Sequence, residues 1–285
     1  MESTEKMLVQ VNGIQLGVEQ RGAANGQRTP GTLVMLHGFT GSAAGWGEHL
    51  DRLAARGLRV IALDLHGHGR SDAPANPARY GFECCRQDIL ALMQQLEVRR
   101  GDAVLLGYSM GGRIALHTAF SGYFRALVLE SSSPGLADPA ERERRSSSDE
   151  VLAASIERDG VRAFIERWEK QPLFASQESL PSEVREALRR QRLHNRAVGL
   201  ANSLRGAGTG VQPPLHARLP TLNIPVFLLA GELDTKFTTI ARSMAQALPQ
   251  ARLHIVSGAG HTIHLERPEE FDSLVADFCV SMFSS

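Results

Sequence analysis

Residues 103–113 read Ala-Val-Leu-Leu-Gly-Tyr-Ser-Met-Gly-Gly-Arg, and they combine an apolar run with a glycine-flanked serine. Four apolar residues, as expected of a buried strand, run directly into Gly-x-Ser-x-Gly, and a helical pattern follows. In this setting the pattern predicts a nucleophile elbow, a tight strand-to-helix turn that exposes Ser109 and needs glycines for close backbone packing. The alternative is an ordinary glycine-rich turn, because the pentapeptide alone is a weak signal.

Apolar runs of similar length recur on both sides of this elbow. Short uninterrupted runs are typical of strands buried on both faces, and helical patterns alternate with them. The predicted strands are residues 32–36, 59–63, 104–107, 126–130, 226–230 and 252–256, and the predicted helices are residues 46–55, 110–120, 237–248 and 268–282. Two further strands, at residues 6–11 and 14–20, flank Asn12-Gly13, which is a strong hairpin signal. The sequence therefore predicts an α/β fold with a mostly parallel central sheet and an N-terminal hairpin.

The alternation stops between residues 131 and 220, where the sequence is helical and charged. We interpret this interval as a helical cap inserted into a core domain that comprises residues 1–130 and 221–285. Ligands of open α/β sheets bind at the carboxyl edge of the strands. A cap over that edge would roof the active site.

Composition excludes several classes of protein. The chain has 285 residues with 31 basic and 31 acidic side chains, so its formal net charge is zero, which argues against a nucleic acid partner. No uncharged apolar run approaches the roughly 18 residues of a membrane-spanning helix, and the first residues lack the apolar core of a signal peptide. Three cysteines, two of them adjacent, do not make a disulfide framework. We therefore expect a cytoplasmic protein without membrane insertion.

An acid and a histidine follow two of the later strands. Asp234 ends Gly-Glu-Leu-Asp after one strand, and His261 ends Gly-Ala-Gly-His after the next. The chain order Ser, Asp, His is that of α/β-hydrolases and differs from the two common protease orders. We therefore predict a catalytic triad of Ser109, Asp234 and His261.

Four other polar residues admit alternatives. Glu232 could supply the acid, although it lies closer to the strand end, and His264 could supply the base, although it lacks the glycine-rich strand exit. His66 and His68 could bind a metal ion, but the sequence offers no matching cluster of further ligands. A structural turn is the simpler interpretation of this histidine pair.

The predicted oxyanion hole lies beside the elbow. Residues 37–41, His-Gly-Phe-Thr-Gly, follow a buried strand, and a loop in this place supplies one backbone N–H while the residue after the nucleophile supplies the other. The predicted donors are the N–H groups of Phe39 and Met110, and such donors are worth about 3–4 kcal/mol each. His37 is expected to brace this loop rather than react.

Arginines are concentrated in the predicted cap. Six lie between residues 185 and 205 beside a single acid, and three more lie between residues 142 and 145. Arginine binds carboxylates through two parallel hydrogen bonds, so this concentration predicts a substrate with several carboxylates. For any single cap arginine, a solvated helix face is the competing interpretation. Arg113 is different because it lies four residues after Ser109, on the same side of the elbow helix.

Five segments of the chain resemble the 2-succinyl-6-hydroxy-2,4-cyclohexadiene-1-carboxylate synthases of menaquinone biosynthesis, a family in the α/β-hydrolase superfamily. The segments are residues 107–113, 133–136 (Ser-Pro-Gly-Leu), 171–176 (Gln-Pro-Leu-Phe-Ala-Ser), 231–237 (Gly-Glu-Leu-Asp-Thr-Lys-Phe) and 258–261. The segment at residues 171–176 and the end of the segment at residues 231–237 are not general hydrolase features, so they carry most of the specificity. The resemblance covers nearly the whole chain and implies the α/β-hydrolase fold with a helical cap.

The resemblance implies a lyase that needs neither a metal nor an organic cofactor. Its substrate would be a cyclohexene ring that bears a succinyl chain, a carboxylate and an enolpyruvyl ether. Ser109, assisted by His261 and Asp234, would remove a proton α to the succinyl ketone, and pyruvate would be expelled. The oxyanion hole would hold the enolate oxygen.

The resemblance also implies substrate contacts. By position within the matching motifs, these are Arg113, Arg145, Trp168, Arg192 and Tyr108. Trp168 has a second interpretation, in which its ring only packs the cap.

Two other functions stay open at this point. The same triad could hydrolyse small esters, amides or carbon–carbon bonds, or the chain could be a binding protein on a hydrolase fold. Fast ester turnover with covalent capture of Ser109 would favour hydrolysis, whereas ligand binding without activity would favour the binding protein. A weak homo-oligomer is also compatible with the sequence.

Overall fold

A computed structural model describes residues 5–22 and 31–284 of the chain. Within these residues eight strands form one sheet in the order β1-β2-β4-β3-β5-β6-β7-β8. The strands are β1 Glu5–Val11, β2 Ile14–Arg21, β3 Thr32–Leu36, β4 Arg59–Leu63, β5 Ala103–Tyr108, β6 Ala126–Glu130, β7 Val226–Gly231 and β8 Ala251–Val256. Strand β2 pairs antiparallel with β1 and β4, and every other pairing is parallel. The predicted α/β fold with a mostly parallel sheet is confirmed.

The N-terminal hairpin turns at the predicted dipeptide. Val11 pairs with Ile14, so Asn12 and Gly13 are the two central residues of the turn. Both have positive φ angles, 44° and 83°, which is the conformation that an Asn-Gly turn provides with little strain. The very first residues of the chain, 1–4, and the segment 23–30 lie outside the described residues.

Helices cover both faces of the sheet. The helices are α1 His49–Ala54, α2 Phe82–Gln95, α3 Met110–Ala119, α4 Pro139–Trp168, α5 Ser182–Leu193, α6 Ala197–Ala207, α7 Thr235–Ala247, α8 Ile263–Glu266 and α9 Pro268–Phe283. Helices α2, α3 and α7 contribute to the apolar core on one face, and α1 and α9 contribute to the core on the other. Because both faces are covered, all five residues of β3 are buried, which explains its uninterrupted apolar sequence.

The structure differs from the predicted helices of the core domain. The helix expected at residues 46–55 begins only at His49, because Gly47 has a positive φ of 50° and separates α1 from a 3-10 segment at Ala43–Trp46. Helix α2 was not predicted at all. Its buried face includes Asp88, a charged residue that interrupts the apolar periodicity.

Residues 131–220 supply α4, α5 and α6 between β6 and β7, with no strand in this interval. The three helices contribute residues to a small apolar core that also contacts Phe39. Inside α4, Gly160 has φ 81° and divides the helix into two parts. The cap contacts the core domain closely at Gly199, where an added Cβ would lie 2.1 Å from the carbonyl oxygen of Gly67. The division into core and cap at residues 130 and 220 stays a prediction.

The strand order reverses beside β3. The chain passes from β3 to β4 on one side and then to β5 on the other, so the carboxyl ends of β3 and β5 flank a crevice at a topological switch point. The loop at residues 37–41 and the elbow at Ser109 leave the sheet at this crevice. Among residues 5–22 and 31–284, every helix is too short or too polar to span a lipid bilayer.

Candidate active site

The elbow holds Ser109 in a conformation that few residues adopt. Its φ and ψ are 51° and −109°, and its N–H donates to the carbonyl of Glu130 over 2.9 Å. An added Cβ at Gly107 or Gly111 would lie 2.4 Å from a backbone oxygen, so glycine is required on both sides of the serine. The strained turn is fixed by β5 before it, by α3 after it and by the close backbone packing at the two glycines. It presents the Ser109 hydroxyl at the carboxyl edge of the sheet.

The structure brings Ser109, His261 and Asp234 together in a chain of contacts. The Ser109 hydroxyl oxygen lies 3.1 Å from His261 Nε2, and His261 Nδ1 lies 2.7 Å from Asp234 Oδ2. The other carboxylate oxygen of Asp234 accepts the N–H of Phe237 over 3.2 Å, at the N-terminus of α7. The carboxylate of Asp234 is therefore held by its hydrogen bond at the N-terminus of α7 while it orients the imidazole of His261. This is the arrangement that activates a serine hydroxyl.

The two competing residues have other partners. Glu232 is exposed and accepts the Ser257 hydroxyl and the Gly258 N–H over 2.8 and 2.9 Å. His264 Nδ1 lies 2.9 Å from both carboxylate oxygens of the buried Glu130. Neither residue contacts the Ser109 hydroxyl, so the geometry favours Asp234 and His261 as its partners.

Two backbone donors are free beside the elbow. Within the described residues, the N–H groups of Phe39 and Met110 donate to no other protein group. The ring of Phe39 packs edge-on against the ring of Trp168 in α4, with centroids 5.4 Å apart, so the cap helps to position this loop. Free donors at a loop and a helix N-terminus are what an oxyanion hole requires, but the role of these two groups stays a prediction.

His37 braces the loop that carries Phe39. Its Nε2 accepts the N–H of Leu65 over 3.0 Å, so its Nδ1 must carry the proton that it donates to the Gly38 carbonyl over 2.8 Å. Burial lowers the pKa of His37 to about 4, and this agrees with a neutral ring. Both nitrogens are used in structural hydrogen bonds.

A cavity of about 550 Å³ opens above Ser109 and His261. Its walls come from the elbow, from α4 and α6 of residues 131–220, and from α7 of the core domain. The polar and charged side chains that line it are Ser109, Arg113, Ser133, Glu141, Arg144, Arg145, Ser148, Ser203, Thr209, Lys236 and His261. Four cations therefore face one acid around the serine, which suits an anionic ligand.

Two of the predicted substrate contacts carry positive charge at this cavity. Arg113 donates from Nη1 to the Ala207 carbonyl over 2.7 Å and forms no ion pair with any described residue. Burial lowers its pKa to about 10, and the neighbouring Arg145 adds to this effect. Arg145 itself pairs with Asp149, with 2.8 Å between Nε and Oδ1. The structure thus brings both arginines to the site, with Arg113 lacking a carboxylate partner.

Trp168 and Tyr108 also line the cavity. The indole N–H of Trp168 is buried and has no hydrogen-bond partner among the described residues. Because a buried indole N–H usually has a partner, this donor is available to a ligand, and packing alone does not account for it. The Tyr108 hydroxyl lies 2.8 Å from the Thr262 hydroxyl. Burial is the main reason that the pKa of Tyr108 is raised well above its usual range, so the phenol is neutral.

The structure does not bring Arg192 to the same cavity. Its guanidinium lies 5.2 Å from the centre of the Phe174 ring and 3.5 Å from both Glu169 and Gln177. Arg192 lines two other cavities, of about 50 and 330 Å³, and Phe174 lines all three. Phe174 therefore separates Arg192 from the space above Ser109. A contact between Arg192 and the substrate stays a prediction.

Five charged or aromatic residues that line the cavity were not predicted as site residues from the sequence, namely Glu141, Arg144, Phe174, Lys236 and Phe237. The ring of Phe237 lies 4.6 Å from that of His261, and the ring of Phe174 lies 6.2 Å from it. The signal for three of them was present, since Phe174, Lys236 and Phe237 belong to the segments that distinguish the family from other hydrolases.

The histidine pair at residues 66 and 68 belongs to a structural turn. His66 Nε2 lies 2.7 Å from Asp88 Oδ2, and His68 Nδ1 lies 2.9 Å from the His66 carbonyl oxygen. The described residues hold no group of three or more His, Cys, Asp or Glu that could bind a metal ion.

Comparison with known proteins places this geometry in a family. Residues 33–274 match the model of the alpha/beta hydrolase family. A Bacillus subtilis (strain 168) protein, named provisionally as 2-succinyl-6-hydroxy-2,4-cyclohexadiene-1-carboxylate synthase, is 42% identical over 93% of this chain and 96% of its own. A Klebsiella pneumoniae (strain 342) protein of that name is 34% identical over 90% of this chain and 97% of its own.

A solved structure gives the same result. The structure of MenH from S. aureus superimposes with a TM-score of 0.87 at 34% identity, and the match covers 93% of this chain and 98% of that one. The matches extend over both the core domain and the interval at residues 131–220. The chain therefore belongs to the α/β-hydrolase family and, within it, to the family of 2-succinyl-6-hydroxy-2,4-cyclohexadiene-1-carboxylate synthases.

Proposed function

We propose that the chain is a lyase that eliminates pyruvate from 2-succinyl-5-enolpyruvyl-6-hydroxy-3-cyclohexene-1-carboxylate to give 2-succinyl-6-hydroxy-2,4-cyclohexadiene-1-carboxylate. The observation that carries this proposal is a serine–histidine–aspartate chain that opens into a cavity with four cationic side chains. The triad supplies a base, and the cations suit a substrate with three carboxylates. Names of relatives at 42% and 34% identity add support.

Ser109 is the proposed base. His261 accepts the serine proton while Asp234 stabilises the resulting imidazolium, so that the serine oxygen can take the proton on ring carbon 2, α to the succinyl ketone. No acyl-enzyme is formed, because the reacting carbon gives up a proton and keeps its bonds to carbon. The role that Asp234 plays here needs its carboxylate charged and its second oxygen fixed, as its contact with Phe237 provides.

Electron flow then completes the elimination. The electron pair of the broken C–H bond forms an enolate, whose oxygen would accept the N–H groups of Phe39 and Met110. As the enolate collapses, its carbon–carbon π pair forms the double bond between carbons 2 and 3. The π pair of the original double bond between carbons 3 and 4 moves to carbons 4 and 5, and the bond from carbon 5 to the ether oxygen breaks. The leaving group is the enolate of pyruvate, which takes up a proton. Every step uses a base and hydrogen-bond donors that the chain supplies itself.

The cations of the cavity are proposed to hold the carboxylates. Arg113 is the strongest candidate, because it lies one helical turn from Ser109 and has no carboxylate partner among the described residues. Arg145 lies beside it and repels it, so an anion between the two guanidinium groups would relieve that repulsion. Trp168 is proposed to donate its unpartnered indole N–H to the same ligand.

The deciding experiment measures pyruvate release from the substrate, generated in situ, beside hydrolysis of a p-nitrophenyl ester. We expect rapid pyruvate release and negligible ester cleavage. Ser109→Ala should reduce pyruvate release by about a thousandfold or more, as loss of a triad member usually does. The exposed Ser273 on α9 offers a matched control, and Ser273→Ala should leave the rate unchanged.

Two outcomes would contradict the proposal. Near-normal pyruvate release by Ser109→Ala would show that another group is the base. Brisk ester hydrolysis without pyruvate would instead favour a serine hydrolase, which the same hydroxyl–imidazole distance of 3.1 Å also permits.

A further inference from the structure

Lys236 stands out among the cations of the substrate cavity. The chain has only three lysines, Lys6, Lys170 and Lys236, against many arginines. Lys236 lines the cavity together with Phe237 and Ile240, its neighbours in α7. It forms no ion pair with any described residue, and its ammonium group lies 5.8 Å from the centre of the Phe237 ring. A cation that no protein carboxylate neutralises is available to a ligand.

The position of Lys236 differs from that of the arginines. Arg113 lies on α3, and Arg144 and Arg145 lie on α4, whereas Lys236 follows the triad acid by two residues on α7. Its neighbour Phe237 packs against His261, with ring centroids 4.6 Å apart. The cavity therefore has positive charge on a further wall, which is formed by α7 and lies next to His261.

The proposed substrate has three carboxylates, whereas the arginines that line the cavity come from two elements only, Arg113 from α3 and Arg144 and Arg145 from α4. Arg145 is already paired with Asp149, and Glu141 lines the cavity beside it. Arg192 lies behind Phe174, outside the space above Ser109. A substrate carboxylate directed toward α7 thus has no guanidinium on that wall, where Lys236 is the cation that lines the cavity.

We propose that Lys236 binds one carboxylate of the substrate and is a specificity-determining residue of the active site. This inference rests on the proposed function, since it needs a substrate with more than one separated carboxylate. An ammonium group is a compact charge on a flexible stem, so it can follow a carboxylate without the fixed geometry that a guanidinium imposes. The contact anchors the substrate at α7, whereas Arg113 lies on α3. Contacts at two separate elements fix the orientation of the ring over Ser109.

The test compares Lys236→Met, Lys236→Arg and Arg242→Met in steady-state assays of pyruvate release. Lys236→Met keeps the length of the side chain and removes its charge, so KM should rise about tenfold or more while kcat changes by less than about threefold. Lys236→Arg keeps the charge and should recover most of the loss. Arg242 is an exposed cation of the same helix that does not line the cavity, so Arg242→Met should leave KM unchanged.

The outcomes separate this proposal from the proposed function. If the unaltered protein releases no pyruvate, the proposed function fails and the assignment of Lys236 fails with it. If the unaltered protein releases pyruvate and Lys236→Met has the same KM, only the assignment of Lys236 is wrong. A rise in KM of equal size in Arg242→Met would also overturn it, because the effect would then come from the general charge of the helix. Because Lys236 is exposed, its variants should have an unchanged Tm, which identifies a binding effect.

Discussion

Arg113 shows how a single residue can be placed for a ligand rather than for stability. Its guanidinium is partly buried, yet its one hydrogen-bond acceptor among the described residues is the Ala207 carbonyl, and the pKa of about 10 reflects the cost of keeping a charge there. A buried charge without a counter-ion destabilises the folded protein. We infer that a substrate carboxylate supplies the missing partner.

Replacement of Arg113 by methionine should therefore separate binding from stability. Binding should weaken by about 1.5–3 kcal/mol, the usual worth of a hydrogen bond to a charged group, and KM should rise accordingly. The free energy of unfolding should stay the same or increase, because a partly buried charge without a counter-ion is removed. Urea denaturation and pyruvate-release kinetics on the same preparation check both expectations. An unchanged KM would remove Arg113 from the site, and a large loss of stability would mean that its role is structural.

The grouping of the proposed catalytic residues could be predicted because their positions follow from the fold. Ser109 comes directly after β5, and Asp234 and His261 lie in the segments that follow β7 and β8, and the carboxyl ends of parallel strands lie at one edge. Arg192 could not be placed in this way. It lies on α5, and the packing of that helix against Phe174 and Glu169 decides which cavity the side chain faces. No local sequence pattern predicts that packing.

Helix α8 and the loop before it form an element whose structure is fixed by one carboxylate. Glu266, which is 8% exposed, accepts the N–H of Gly260 at Oε2 over 2.7 Å and the N–H of Thr262 at Oε1 over 3.2 Å. These two N–H groups belong to the residues on either side of His261. The carboxylate thus holds the backbone of His261 from both sides, without a hydrogen bond to its imidazole.

Glu266→Gln should disturb catalysis more than binding. A carboxamide has one acceptor oxygen, so one of the two backbone donors would face an NH2 group and lose its partner. We expect kcat to fall about tenfold with little change in KM, because His261 moves while the cations of the cavity do not. Glu269→Gln, on the exposed first turn of α9, is the matched control. A rise in KM without loss of kcat would argue against a positioning role.

Secondary structure could be predicted where one physical signal dominates. The five-residue runs of β3, β4 and β6 were predicted with their observed bounds, because strands buried on both faces must be apolar throughout. Helix α2 escaped prediction although Phe82, Cys85, Ile89 and Leu92 follow a helical period. The buried Asp88 within it is explained only by tertiary contacts, with His66, Arg79 and Asn12 as its partners.

Across the whole molecule, buried histidines couple stability to pH. His37 and His68 lie with their ring centroids 5.0 Å apart beneath the predicted oxyanion loop. Burial lowers their pKa values to about 4 and about 3. In the unfolded chain both histidines titrate near pH 6.5. Between pH 6.5 and the lowered pKa values, the unfolded state therefore binds more protons than the folded state.

The folded protein should therefore lose stability as the pH falls from about 6.5 toward 4 and 3. The stabilisation is complete above the unfolded-state pKa, and each histidine removes up to about 1.4 kcal/mol per pH unit below it. Urea unfolding at several pH values from 7 to 4 measures this slope. His68→Gln should make the slope shallower, because one titrating group is removed. An identical slope in the variant would show that the carboxylates alone cause acid unfolding.

The order of strands has a consequence for synthesis of the protein. Ser109 and both predicted oxyanion donors follow β3 and β5 in the middle of the sheet, whereas Asp234 and His261 follow β7 and β8, the last two strands of the sheet in chain order. A chain leaving the ribosome thus contains Ser109 before it contains the imidazole that would accept the serine proton. We expect a partly made chain that lacks β8 and His261 to hold a serine hydroxyl without its proton acceptor, and therefore to be inactive.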